Sequence, residues 1–582
     1  MARALLIVRR RRESRGRLEV YLDALNRNLA PDNIVPRAPS FACKDGAEAA
    51  IFNPNGATQL EGTSIRIGAL LEHAPRWHEP GAPLPEGSYA LLRTSADRVE
   101  LAADAVASRT IWYVLTEDEL IASTSQRAII TLLRDFKINR DALPWMLSSG
   151  TLGPERGWDV RLKRVRGGER LLLDRARWRL TRSGGPAAFN AAAAGDEAAF
   201  GAELSELVAA ACRRLTVDPA RWALPLSGGV DSRALLFHLR HRRGLETITW
   251  GRRDARHQEG NDAQIARALA ATLGVANRYF PTDLSNEPRE RLMQRFLTAG
   301  EGRVAEISGY LDGFAVWKTL FESGVEGIVR GDEAFGLSFV HSAAAARRRA
   351  RFTLLTDFFT PHEIASFGVP EQRVPAELAR GAHETLSTWR DRLYQQFRIP
   401  LGLAGLTDLK AAYVEVANPL LTRSVLDFVR RMPDGLRTEK RLWREIVRAQ
   451  LPEVPFADQP AVVQIEHFLT DPAVLTLMRD EMQSSGASDL FARPLRSKVC
   501  VAIEAALRAS PAPAHAKSRF ALPLKRMIPE GIRAATRSWR AATADLNPLV
   551  FAFRSFLAAR MNTLLQVDAA TPPANLRRAM HL

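Results

Sequence analysis

The sequence predicts an α/β fold with an α+β N-terminal part and a helical C-terminal extension. Three observations carry this. Residues 1 to about 185 hold many short β-like segments broken by Gly, Pro and Asp. Strands and helices alternate from about Glu203 to Arg330. After about residue 340 the pattern is almost all helical.

In the first region, Ser88–Thr94, Thr110–Leu115 and Arg170–Asp174 read as strands of a mostly antiparallel, layered domain over residues 1–185. Residues 186–200, with Ala191–Gly195 at their centre, read as a Gly/Ala-rich linker. Leu204, Leu207, Val208 and Ala211 then follow helical spacing. Trp222–Leu226 predicts a strand, Arg233–Leu239 a helix and Glu246–Trp250 a second strand. Asn261 and Asp262 cap a helix running through Leu273, which Gly274 ends. Asn277–Phe280 and Gly327–Arg330 add two more strands. Strands alternating with helices imply a parallel sheet covered on both faces, within a unit spanning residues 201–465. Residues 466–582 form an Arg/Ala-rich helical extension with a break at Pro511–His515, and no internal repeat is present.

Composition bounds the function. The chain has 582 residues, is 46% hydrophobic and 25% charged, and carries a net charge of +16. That excludes a disordered tail protein and suggests roughly three or four domains. Three cysteines, Cys43, Cys212 and Cys500, exclude a disulfide scaffold, and none forms a CxxC pair. The apolar run Met1–Val8 is too short for a signal-peptide core, and no stretch approaches the ~20 apolar residues of a membrane span, so a cytoplasmic enzyme is expected. Only nine of the cationic side chains are lysines. The excess charge therefore reads as Arg-rich background before it reads as a nucleic-acid surface.

The chemistry is decided at Ser227-Gly-Gly-Val-Asp-Ser232, between a strand and a helix. A glycine turn feeding a helix N-terminus aims several backbone N–H groups at one spot, which makes a nest for phosphate oxygens. Gly228 and Gly229 permit close approach, Ser227 and Ser232 add hydroxyls, and Asp231 supplies a carboxylate for Mg²⁺. The Lys of a Walker A loop and the spacing of GxGxxG are both missing.

This loop resembles that of the PP-loop ATP pyrophosphatases, which bind the pyrophosphate end of ATP during adenylation. Four further segments resemble the asparagine synthetase-like branch: Asp262–Gly274, Gly331–Gly336, Glu415–Leu421 with Val425–Phe428, and Arg437–Glu445. The resemblance covers about residues 200–460. It implies ATP and Mg²⁺ as cofactors, with Trp250 and Asp262 among the nucleotide contacts and Asp332 paired with Asp231 at the metal. Asp262 is read as a helix cap first and a ligand contact second. Glu415 stands for the acceptor-activating machinery, and Lys440, a compact ammonium, for stabilisation of developing phosphoryl or acyl-adenylate charge.

Two departures narrow the activity. Asparagine synthetases generate ammonia at a cysteine following the initiator Met, and position 2 is Ala2. Cys43 lies deep in the chain and reads as a packed or incidental cysteine. Ala102–Tyr113 and Ile121–Ser125 still resemble the family, which implies a degenerate class II glutamine amidotransferase domain, of Ntn-hydrolase-like layered form, kept as scaffold. Second, the family's Glu or Tyr three residues before the acidic pair is replaced by Val329, in a loop about three residues short. Glu415 or Tyr413 is the substitute candidate for deprotonating the amine. A ligase without glutaminase needs another amine, which favours a lasso-peptide cyclase. Such an enzyme adenylates an Asp or Glu side chain of a precursor peptide and closes a macrolactam with its N-terminal amine. Its partners would be the peptide, a leader peptidase and a peptide-recognition protein, with Arg347–Arg351 able to help grip an acidic chain. An asparagine synthetase-type or β-lactam synthetase-type ligase on a small molecule is the alternative. A tRNA-modifying PP-loop enzyme is a third reading.

Overall fold

The computed structural model describes residues 2–12, 16–190, 195–332, 334–451, 453–463, 465–509 and 545–572. Most of the linker core Ala191–Gly195, the break at Pro511–His515 and Glu333 of the second acidic motif lie outside the described residues.

The N-terminal region forms two six-stranded antiparallel sheets. One is built around Arg3–Arg9, Ala47–Phe52 and Glu119–Ser123; the other holds Gly87–Thr94, Ser64–Leu70, Arg98–Ala103 and Glu169–Asp174. Their facing apolar residues, Leu5, Ile7 and Ile51 against Ile65, Ile67 and Leu92, share one buried core, as sheet-on-sheet packing requires. Ala2 is fully buried beside the first strand. Of the two expected readings of Cys43, packed or incidental, the structure leaves the second: it sits exposed on the sheet-edge strand Ser40–Lys44.

The second unit is the predicted parallel sheet. Its spatial order is Asn277–Pro281, Glu246–Gly251, Trp222–Pro225, Gly327–Val329, Glu415–Ala417. The chain winds outward on one side of Trp222–Pro225 and then crosses to the other, so the strand order reverses between that strand and Gly327–Val329. Open parallel sheets bind ligands in the crevice beyond the carboxyl ends of strands at such a switch point. The edge strand Glu415–Ala417 falls where the sequence reads almost entirely helical. It has three residues, too few to show a period of two, and its pairing with Gly327–Val329 supplies its order. The helix expected through Leu273 is Asp262–Thr272, with the Asn261 side chain capping it and Gly274 at φ 64 beyond its end.

The helical part closes on Pro548–Ala570, which packs on helices Pro472–Gln483 and Arg493–Arg508 and buries Phe551 against Phe359 and Phe367, and Phe553 against Phe468. Among the described residues, no helix is long and apolar enough to cross a membrane.

Candidate nucleotide crevice

Trp222–Pro225 ends at Ser227, and helix Val230–Leu239 begins immediately afterwards. Gly229 at its N-cap brings no side chain, so the first-turn N–H groups stay directed toward the crevice. The loop is held by its own residues: the Ser227 amide donates to Ser232 Oγ at 3.1 Å, and the two hydroxyls stand 3.0 Å apart. Gly229 N donates to Ser227 Oγ at 3.2 Å, and Gly228 N to Asp262 Oδ1 at 3.1 Å. Asp262 thus touches the loop rather than capping its helix; Asn261 caps it by accepting from Ala263 N. Burial raises the Asp262 carboxyl, and the Gly228 N–H partly offsets this. Gly228 is required by packing, because a Cβ there would stand 2.4 Å from Ala457 Cβ. Ala457 belongs to a strap, residues 453–463, that lies over the loop and bonds through Ala457 N to Gly228 O at 3.1 Å. Nothing in the sequence marks this strap as part of the site.

Of the expected residues, Ser227, Gly229, Asp231, Ser232, Trp250 and Asp262 line one crevice beyond the strand ends, Lys440 joins them through Asp231, and Asp332 lies outside that lining. Lys440 Nζ donates to Asp231 Oδ2 at 2.6 Å, and Trp443 Nε1 donates to Asp231 Oδ1 at 2.9 Å. Phe335 stacks on Trp443 with centroids 4.4 Å apart, tying the Gly331–Gly336 segment to the lysine helix Arg441–Gln450. Gly331 abuts Asp231, since a Cβ at Gly331 would lie 2.9 Å from that of Asp231. Asp332 receives Arg330 at 2.8 Å and Asn418 Nδ2 at 2.7 Å. Trp250 lines the crevice, backed edge-on by Trp317 at 5.3 Å. The crevice encloses about 220 Å³.

Glu415 and Tyr413 are not brought there. Glu415 pairs with Gly327, at the amino end of the parallel strands, opposite the crevice. It is fully buried and bonds Arg109 Nη2 at 2.9 Å, so its carboxylate is matched by a salt bridge from the N-terminal region. Tyr413 is buried too, with its hydroxyl on Asn33 Oδ1 at 2.7 Å, and burial drives its pKa well above the ordinary value. Val329 is buried at the position of the missing base.

Asn418, Trp443 and Arg330 are the residues that sequence reasoning missed. Each lies inside a segment already singled out, without being assigned a role there: Asn418 in Glu415–Leu421, Trp443 in Arg437–Glu445 and Arg330 in Gly327–Arg330. Lys410 was missed as well. Its buried ammonium donates to Tyr310 Oη and Leu406 O, both at 2.9 Å, and burial lowers its pKa well below the ordinary value.

The donor set suits the phosphates of a nucleotide: uncapped amides, two hydroxyls and a lysine. For Mg²⁺ it offers Asp231 and Asp332, each already facing a cation. Among the described residues no three His, Cys, Asp or Glu side chains stand together as a metal cage. Asp231 and Asp332 would be the one or two carboxylates in support of a Mg²⁺ carried mainly by phosphate oxygens.

Residues 203–299 match the family model described as asparagine synthase. The match takes in the Ser227–Ser232 loop and the Asp262 helix, and it supports an asparagine synthetase-like, ATP-dependent amide ligase in general terms. No curated protein matches the chain.

Proposed function

We propose that the chain is an AMP-forming carbon–nitrogen ligase that closes a macrolactam on a precursor peptide. A side-chain carboxylate of the peptide attacks the α-phosphorus of ATP and pyrophosphate leaves. The peptide's N-terminal amine then attacks the acyl carbon, loses a proton and expels AMP. The amides of helix Val230–Leu239, with Ser227 and Ser232, hold the pyrophosphate end. Lys440 passes from Asp231 to the phosphoryl charge, and Trp250 and Asp262 border the nucleotide. Asp231 and Asp332, with the phosphates, would hold a Mg²⁺, which would neutralise part of that charge. Holding amine and acyl group in one cavity supplies ~7–11 kcal/mol of the barrier when the geometry is right.

One observation carries the reading: a phosphate nest at the topological switch point, with Lys440 already seated on its aspartate at 2.6 Å. What favours a peptide over ammonia is a second cavity that shares Val462 with the crevice and is lined by Val550 and Arg554 of helix Pro548–Ala570. A leader peptidase and a peptide-recognition protein would act alongside it in the cytoplasm. The test is incubation of the full chain with Mg·ATP and the acidic precursor peptide. A product one water lighter, with equimolar AMP and pyrophosphate, is expected, and Asp231→Asn should abolish it. Robust asparagine formation from aspartate and ammonium would overturn the cyclase reading.

A further inference from the structure

A second cavity of about 280 Å³ shares Val462 of the strap with the nucleotide crevice. Three parts of the chain build it: Gly150 from the N-terminal region, Glu306, Arg351 and Arg398 from the synthetase part, and Arg554 from the last helix. Arg554 is fixed by donating to Leu147 O at 3.0 Å and Ser148 O at 2.6 Å. Its buried Nε finds no acceptor among the described residues. Gly150 makes room for that group, since a Cβ would stand 3.1 Å from Arg554 Nε. Arg351 reaches Glu306 at 2.9 Å, and Ser308 Oγ donates to the same carboxylate at 2.7 Å.

Among the described residues that line this space are three guanidinium groups, Arg351, Arg398 and Arg554, and one carboxylate, Glu306. Burial, followed by repulsion from Arg351, lowers Arg554 to about 10. Burial alone would raise Glu306, yet Arg351, Ser308 and Arg398 hold it below its ordinary value. The rest of the wall is apolar, with Leu406, Val463 and Val550. A polyphosphate would find little to solvate it there. A carboxylate on an alkyl stem matches both halves, because guanidinium groups take carboxylates in charge-assisted pairs.

We propose that this cavity is a carboxylate subsite that anchors the acceptor peptide through a second acidic group, not the one adenylated next door. The assignment rests on the ligase reading for its role, and on the cavity alone for its ligand. Arg351→Gln should raise the KM for the acidic peptide about tenfold, the effect of losing one charge-assisted bond, while the KM for ATP stays unchanged. Arg351 is half-exposed at a helix end, so that variant folds even where Arg554→Gln fails.

A direct probe separates the subsite from the reaction. Full-length protein is treated with phenylglyoxal, and modification of Arg351 and Arg398 is read by mass spectrometry with glutarate, pyrophosphate or chloride at matched ionic strength. Selective protection by glutarate supports the subsite. Equal protection by all three anions, or none by glutarate, overturns it. Absence of peptide-dependent pyrophosphate release in the unmodified protein would instead overturn the ligase reading and leave glutarate protection standing.

Discussion

Glu439 and Lys440 occupy left-handed backbone in succession, at φ 58 and 57, directly before helix Arg441–Gln450. For side chains with a Cβ each such residue costs about 1–3 kcal/mol, and the surroundings must enforce it. Glu439 N bonding to Leu337 O at 2.8 Å and the Phe335–Trp443 stack do so here, and the result is an ammonium set on Asp231. Lys440→Arg should therefore fold normally yet lose pyrophosphate exchange by about 10²-fold, because a planar fork does not replace a compact charge. Exchange rate and melting temperature measured together check this, and full activity in the variant would remove Lys440 from the chemistry. Asp312 gives a residue-scale test of a different kind. Its carboxylate accepts from Phe314 N and Val316 N, and burial lifts its pKa from 3.8 to about 6. Between those values the folded state binds more proton than the unfolded one, so this group's contribution to stability falls as pH rises through that window. The fall amounts to up to about 3 kcal/mol. Urea midpoints across pH 3 to 7 should lose that component of their pH dependence in Asp312→Asn.

At the scale of elements, the edge strand Glu415–Ala417 is fastened by a buried ionic network. Arg109 bonds Glu415 at 2.9 Å and stands 3.6 Å from Asp408, which also receives Arg303 and, at 3.5 Å, Arg3. Removing one partner of a buried pair strands the other charge. Glu415→Gln should therefore cost about 3–5 kcal/mol of stability. Because the residue lies at the amino end of the sheet, ATP affinity of the folded variant should match the parent, measured by titration calorimetry below its melting point. This network also shows where legibility ends. The Ser227–Ser232 loop can be read from sequence because residue identity and order alone define a phosphate nest, whereas Lys440 is legible only through the resemblance of Arg437–Glu445 to the asparagine synthetase-like branch. A glutamate in an apolar segment announces only that it has a partner. That partner, Arg109, is 306 residues away, and nothing in local spacing points to it. The strap over Gly228 is invisible for the same reason: its role is backbone contact, and any small residue at Ala457 would serve.

The whole molecule is held together by its last helix. Arg127 of the N-terminal region forms a two-pronged pair with Asp568, at 2.7 and 2.8 Å, and Arg554 takes the carbonyls of Leu147 and Ser148. The same helix buries Phe551 against Phe359 and Phe367, and Phe553 against Phe468. A helix that fills the core of two regions at once makes their unfolding interdependent, since neither can open without exposing its apolar surface. Heating should therefore give one cooperative transition, not one for the antiparallel sheets and another for the helical part. Asp568→Asn leaves Arg127 buried with a weakened partner, so it should lower that transition as a unit by about 3 kcal/mol. Calorimetry distinguishes the outcomes: a single shifted peak fits a shared core, whereas a split into two peaks would show that the regions fold independently. The same helix carries Arg554 into the cavity beside the nucleotide crevice. The step that completes the fold is thus the step that completes the second anion pocket, and a chain melted at its C-terminal helix loses both together.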